Sequence, residues 1–388
     1  MRSPLVKFFS SLRLTVVCLA FAVVLVFLGT LAQVNEGLYQ AQTRWFRSFF
    51  VWWSPHGAGW TLPVFPGGYL LGTVLLVNLV VAHVTRFQFT WRKLGIHLAH
   101  GGIILLLVGQ LVTDMLARET AISFDKGQTK HYSESLRRPE LVFLTDGASP
   151  DQDDVVAIPD AFLHQDQVIR DDHLPFTVRI LNYYANSDIE PRAPMFDTGP
   201  PSATQGVGPN ATVHPLAEEK EMDKRNIPCA IVELTGAQGS LGTWMVSPDT
   251  RMVDQDFNYG GKIWRIALRW ERSYMPYSIQ LLNTKYEVYP GTDEPKNFQS
   301  RVRIENPDKG ENRERDISMN NPLRYEGLTF YQYQMDRTMV ETDRGSVLQV
   351  VHNPAWLTPY AGCALVAIGL AYQFLLHLVG FVSKRRTA

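Results

Sequence analysis

His97 and His100 stand three residues apart in the run WRKLGIHLAHGGIILLLVGQLVTD, residues 91–114. Between Lys93 and Asp114 that run carries no acid and no base. A stretch of this length and composition can cross a hydrocarbon core about 30 Å thick. Ligating side chains at such depth are costly to keep, so two imidazoles there mark a functional site. The spacing places both on neighbouring parts of one helical face. Imidazole nitrogen is a common ligand of haem iron, and the neutral ring buries no charge. An interhelical hydrogen bond is the plainer alternative, and spacing alone does not separate the two. Gly101 and Gly102 follow at once; without side chains, that surface admits a flat macrocycle or another helix.

Two further histidines lie toward the same side, His377 at similar depth and His83 a little shallower. His377 precedes Lys384 by the same seven residues that separate Lys93 from His100, and His83 lies three before Arg86. Either could line a haem access path or lend a temporary second axial ligand. Interfacial histidines facing headgroups are the bland alternative.

The elements that carry these residues read as four spans. The first is apolar from Leu14 to Ala32, the second runs from Gly67 to Ala82, the third holds His97 and His100, and the fourth runs from Trp356 to Val382. Expected boundaries are 1–33 for the amino-terminal segment and first span, 67–83, 94–114, and 354–388 for the last span with its basic tail. The first span is read as retained, although Thr30 to Ala32 resembles a signal-peptide cleavage site. Residues 34–66 hold Trp45, Phe46, Phe49, Phe50, Trp52 and Trp53 beside Arg44 and Arg47. Such a segment suits the headgroup layer, with packing against the water-exposed region as the alternative. Arg2, Lys7 and Arg13 open the chain. Arg86, Arg92 and Lys93 fill the 84–93 loop, and Lys384, Arg385 and Arg386 close the last span. None of these flanks contains an acid. The positive-inside rule therefore makes all three cytoplasmic, with both termini inside and residues 115–353 outside, in a periplasm or its equivalent.

The chain has 388 residues, 37 Lys and Arg against 38 Asp and Glu, which excludes a strongly basic nucleic-acid binder. A mean hydropathy of -0.10 hides apolar ends around a polar middle. Of the three cysteines, Cys18, Cys229 and Cys363, only Cys229 falls in the middle, so no disulfide is expected there. Cys229 could exchange with a partner's thiol, but a small buried apolar role suits it better. The sequence holds no CxxC, CxxCH, Walker A loop, GxSxG or HExxH, so no covalently attached haem of its own is expected. The remaining histidines, His56, His131, His164, His173, His214 and His352, match no zinc spacing.

The middle reads as β. Short runs such as Leu141 to Leu144, Phe176 to Leu181, Ala230 to Leu234 and Ile263 to Leu268 are rich in branched and aromatic residues, with turn formers between them. An all-β, sandwich-like domain or an open barrel is expected. Residues 186–228, rich in Pro, Gly and charge, read as a long loop.

Several motifs share one source. SLRL at 11–14 opens the first span and GTLAQ at 29–33 closes it. Asn78 lies late in the second span, and His100 stands nine residues before Gly109. YPG at 289–291 is followed by Pro295, Phe298 and Ser300. NNPLRYEGLTFYQ at 320–332 and LQVVHNP at 348–354 lead into the last span. In order and spacing the chain resembles the ResB family, the partner subunit of System II cytochrome c biogenesis. The resemblance implies three spans, a large extracytoplasmic domain and one more span. It also implies a ResC/CcsA-type partner carrying the tryptophan-rich haem-handling segment, and haem delivery to a CxxCH apocytochrome. The family's transmembrane haem-ligand histidine matches His100, with His97 left open one turn earlier. The expected cargo is non-covalently held haem b. No thioether-forming catalyst is expected in this chain alone. A bis-histidine b-type cytochrome subunit, an ATPase-driven permease subunit and an apocytochrome chaperone remain as rival readings.

Overall fold

In the computed structural model the described residues are 3–54, 59–147, 149, 152–193, 199–219, 224–292, 294–335 and 345–387. They form two units, a helical one built from both ends of the chain and a β unit from its middle.

The helical unit begins with α1 (Pro4–Phe9), where the Ser3 hydroxyl accepts from the Val6 amide. Ser11 caps α2 (Leu12–Ala41) in the same way, accepting from Arg13 N at 3.2 Å. The helix runs past the apolar span because, from Val34 to Ala41, only Gly37 opposes it. There the backbone breaks to φ 72°, ψ 161°, a conformation open to glycine at little cost. A π-helical turn, Gln42–Phe46, follows. The segment expected to lie outside the first span is therefore helical in its first part. Its second part is a hairpin of β1 (Phe50–Trp53) and β2 (Leu62–Pro66), paired Phe50 to Pro66 and Trp53 to Leu62. The rings of Phe49, Phe50, Trp52, Trp53 and Trp60 point outward.

α3 (Gly68–Thr85), α4 (Leu94–Leu116) and α5 (Thr358–Thr387) complete the unit. Four stretches among the described residues are long and apolar enough to cross a membrane: Leu12–Phe46, Gly68–Thr85, Trp91–Leu116 and Thr358–Ser383. The chain is a multi-pass membrane protein.

Two devices hold the helices together. Asn78 on α3 is buried. Its amide donates to the carbonyls of Phe9 (2.6 Å) and Ser11 (3.1 Å), and its oxygen accepts from the Thr15 hydroxyl (2.6 Å). One side chain thus satisfies polar groups that lipid would leave unpaired. The second device is a seam of small residues. A Cβ on Gly95 would fall 2.5 Å from the Gly369 carbonyl oxygen, and one on Gly102 would fall 2.7 Å from that of Gly362. One on Gly109 would overlap the Thr358 hydroxyl. The seven-residue steps 95, 102, 109 and 362, 369 keep the seam on one stripe of each antiparallel helix. α4 and α5 consequently meet backbone to backbone.

The β unit is strung on two long strands, Thr129–Asp146 and Lys262–Val288, paired antiparallel. Their register slips between Trp270 and Arg272 and again between Tyr274 and Ile279. Bulges of this kind turn a strand, and the two hydrophobic cores lie on either side of them. One core packs Leu141, Phe143, Trp264 and Ile266 against Val178, Ile180, Val232 and Leu234 of a four-stranded sheet. The other gathers Ile279, Leu281, Val302, Ile304, Phe330 and Leu348 from a ten-stranded sheet. That sheet curls on itself, so that the Ser300 hydroxyl reaches Gln332 Oε1 (2.7 Å) and the Ser346 hydroxyl (2.8 Å). The β character agrees with the sequence expectation, as two lobes sharing long strands in place of one sandwich.

The expected long loop 186–228 is corrected in part. Ser187–Pro191 and Ala211–Pro215 pair antiparallel, Ser187 with Pro215 and Pro191 with Ala211. Ile189 and Ala211 enter a small core with Cys229, Ile231 and Met245. Asn186 braces the segment, donating to the Ala217 carbonyl (2.7 Å) and accepting from the Ile227 amide (3.0 Å). Alternate residues Ser187 and Ile189 are buried, a two-residue period too short to stand out among prolines and charges. Residues 194–198 and 220–223, like His56, lie outside the described residues.

Candidate functional site

Three of the four span histidines come together. His83 lies in the last turn of α3, and His97 and His100 in the first two turns of α4. The short 86–93 connection turns the chain back, so the end of one helix faces the start of the next. The His83 ring centre is 5.1 Å from that of His97 and 5.9 Å from that of His100. Phe87, one turn beyond His83, packs 4.7 Å from His97 and 5.8 Å from His83. All three imidazoles are half-buried.

The hydrogen bonds settle which nitrogen of two rings is bare. His97 Nε2 lies 3.1 Å from the Gln88 carbonyl oxygen, and His100 Nδ1 lies 2.8 Å from that of Ile96. A carbonyl only accepts, so each of these nitrogens carries the proton. In the neutral rings the lone pair then sits on His97 Nδ1 and on His100 Nε2. His97 Nδ1 is buried without a partner. The His100 ring is oriented through Nδ1–H to a backbone carbonyl, as metal-bound histidines usually are. The sequence gives no sign of Gln88 or Ile96 as proton acceptors, because both act through the backbone. Phe87 was legible only as an aromatic one turn from His83.

The glycines beside them divide. Gly102 is consumed by the α5 seam, whereas a Cβ on Gly101 would meet nothing within 4 Å. Gly101 stands four residues after His97, on the histidine side of α4, and leaves bare helix there.

His377 is not part of this cluster. It is exposed on α5, and its Nε2 lies 3.0 Å from Gln373 Nε2. Gln373 Cβ in turn lies against Gly95 on the seam face.

No three His, Cys, Asp or Glu among the described residues could hold a bare metal ion. Haem asks less of a protein, since the porphyrin fills four positions and an axial imidazole a fifth. An oriented Nε2 with no hydrogen-bond partner among the described residues, beside open helix surface, fits that need.

Cys229 is fully buried, and burial pushes its thiol up to about 12, which removes the thiol-exchange reading. Cys18 is buried and Cys363 exposed. His131 stacks on Tyr274 at 5.6 Å, His173 bonds Asp171 at 2.8 Å, and His214 sits 3.8 Å from Glu190.

The model of the ResB-like family matches residues 88–341, a segment that takes in Gln88, His97 and His100 and most of the β unit. Protein NrfI of Wolinella succinogenes is 32% identical over 103 residues. That match covers 26% of this chain and 11% of the relative's length. With about two thirds of its length matched by one family, the chain belongs to the ResB-like family.

Proposed function

We propose that this chain is a membrane subunit of System II cytochrome c biogenesis, in which His100 offers a neutral imidazole to haem on its way to an apocytochrome. The observation that carries this reading is the His100 tautomer: Nδ1–H is tied to the Ile96 carbonyl at 2.8 Å and Nε2 is left as the ligating atom. Haem bound there would supply the iron and the vinyl groups that become thioether-linked to CxxCH. The chain's own residues do the holding. Ile96 and Gln88 fix the protons of His100 and His97. Gly101 keeps the neighbouring helix surface bare, and Phe87 and His83 wall the cluster.

The basic flanks support cytoplasmic termini and an extracytoplasmic β unit. In that orientation the histidines lie in the inner half of the membrane, where haem made inside is collected. A ResC/CcsA-type partner would supply the opposing ligand and the attachment site. His83 would be the temporary second imidazole of the isolated chain. His377, exposed one turn past Gln373, would line the access path.

The test is absorption spectroscopy of the full chain, purified with haem present, together with maturation of c-type cytochromes. His100→Ala should abolish the low-spin spectrum and maturation at normal expression, while His97→Ala should retain haem. A low-spin spectrum and normal maturation in His100→Ala would refute the assignment.

A further inference from the structure

The helical unit has a second recess, at the end of α3 and α4 opposite the histidines. It is a cleft of about 500 Å3, within the range of roughly 300–1,000 Å3 that small ligands occupy. Tyr69 is the second residue of α3 and Asp114 lies two before the end of α4, so the cleft opens at headgroup depth. Arg47 Nε lies 3.0 Å from Asp114 Oδ1 in an ion pair. The Tyr69 hydroxyl donates to the other carboxylate oxygen. The two terminal nitrogens of Arg47 remain, on a half-exposed side chain. Gln33, Gln42 and Gln110 also line the cleft, and their amides make no other hydrogen bond among the described residues. Phe46, Leu76, Leu107 and Leu111 supply its apolar walls. Gly72 opens the floor, since a Cβ there would meet nothing within 4 Å.

We propose that this cleft binds a zwitterionic phospholipid, its phosphate on Arg47 and the glutamine amides, its ammonium on Asp114, and its acyl chains along the leucines. The charge pattern selects this class. An anionic head would bring a second negative charge beside Asp114, and a cationic one would face Arg47. A head carrying phosphate and ammonium a few atoms apart meets both, and each contact is a charge-assisted hydrogen bond. The polar rim and apolar floor repeat the order of headgroup and acyl chain in a leaflet. A lipid held there would pin the π-turn bearing Phe46 to α3 and α4, independently of the histidine cluster.

The experiment is native mass spectrometry of the full chain released from detergent micelles. The micelles contain equal amounts of phosphatidylethanolamine, phosphatidylcholine and phosphatidylglycerol with the same acyl chains. One phosphatidylethanolamine per chain should be retained, by about tenfold over phosphatidylcholine, which has no ammonium N–H to donate. Phosphatidylglycerol should be retained no better than phosphatidylcholine. Gly72→Leu places a side chain in the open floor at a helical position, so it should keep the melting temperature and lose the lipid. Asp114→Asn should erase the preference for phosphatidylethanolamine over phosphatidylcholine. Equal retention of the three lipids, preference for phosphatidylglycerol, or undiminished lipid on a folded Gly72→Leu chain would each overturn the proposal.

Discussion

Gly101 and Gly102 are adjacent in sequence, and alanine should act on them in opposite directions. At Gly102 the new methyl would lie 2.7 Å from the Gly362 carbonyl oxygen, 2.8 Å from Val366 Cγ2 and 3.0 Å from Val366 N. Two of those three atoms are backbone and cannot rotate away. Carbon contacts need about 3.5–4.0 Å, so α4 and α5 must part by the better part of an ångström. Overpacking of this kind costs about 1–3 kcal/mol. Replacing glycine by alanine inside a helix returns about 1 kcal/mol. With backbone on the far side the cost falls in the upper part of its range, which leaves a net loss of roughly 1–2 kcal/mol. At Gly101 no atom lies within 4 Å, so only the helix gain applies, roughly 0.5–1 kcal/mol. The two variants should therefore differ by about 2 kcal/mol. The assay is thermal unfolding of the purified full chain in detergent, where one kcal/mol moves Tm by roughly 2–4 °C for units of this size. Gly101→Leu adds the functional half of the test. It should keep Tm and lose haem absorbance, because its side chain fills the bare surface one turn from His97. Equal melting of the two alanine variants, or a less stable Gly101→Ala, would refute the seam. Full haem binding by Gly101→Leu would remove Gly101 from the haem-facing surface.

Three further outcomes are expected. Cys229, buried and with its thiol pushed up to about 12, should resist maleimide at neutral pH until the chain is denatured, and Cys229→Ala should mature cytochromes normally; rapid labelling of folded protein would contradict the buried assignment. Hydrogen bonds from Arg251 hold Asp249 and Asp188 below the usual carboxylate range. Their stabilisation is present above the ordinary value of about 3.9 and is lost as pH falls through the lowered folded values. The gap in denaturant midpoint between wild type and Arg251→Ala should thus be full at neutral pH and close on acidification; a gap that widens in acid would be inconsistent. Glu140 pairs with Arg269 at 2.8 Å with both side chains mostly buried. Glu140→Ala strands that guanidinium and should cost about 3 kcal/mol in chemical unfolding, with the Glu140→Ala/Arg269→Met double variant less destabilised than the single one.

Much of this protein was legible in its residues. Apolar runs of twenty or so residues have one economical fate, so the spans could be placed from hydropathy. Branched and aromatic runs between turn formers marked the strands. Histidines within apolar helices stood out because few other roles tolerate them there. The order and spacing of the motifs carry the family. The boundary errors have local causes. α2 continues beyond its apolar stretch because polar residues can still form a helix, and the Ser187–Pro191 pairing hides in a proline-rich segment because each strand is only five residues long.

The tertiary structure decided what depends on neighbours distant in sequence or on backbone atoms. Sequence gave Gly101 and Gly102 the same role, and only the approach of α5 assigns one to packing and leaves the other bare. His83, His97 and His377 were all candidates for one site, yet the turn at 86–93 brings the first two beside His100 and leaves the third exposed on α5, one turn past Gln373. Which nitrogen of His100 can ligate rests on one carbonyl, that of Ile96. Arg47, Tyr69 and Asp114 lie far apart along the chain and become a single charge-balanced cleft only when the helices pack. Composition fixes where each segment can reside, because burial free energy is set by residue type. Cleft and close approach are properties of pairs distant in sequence, and the tautomer depends on a backbone carbonyl that residue type does not reveal.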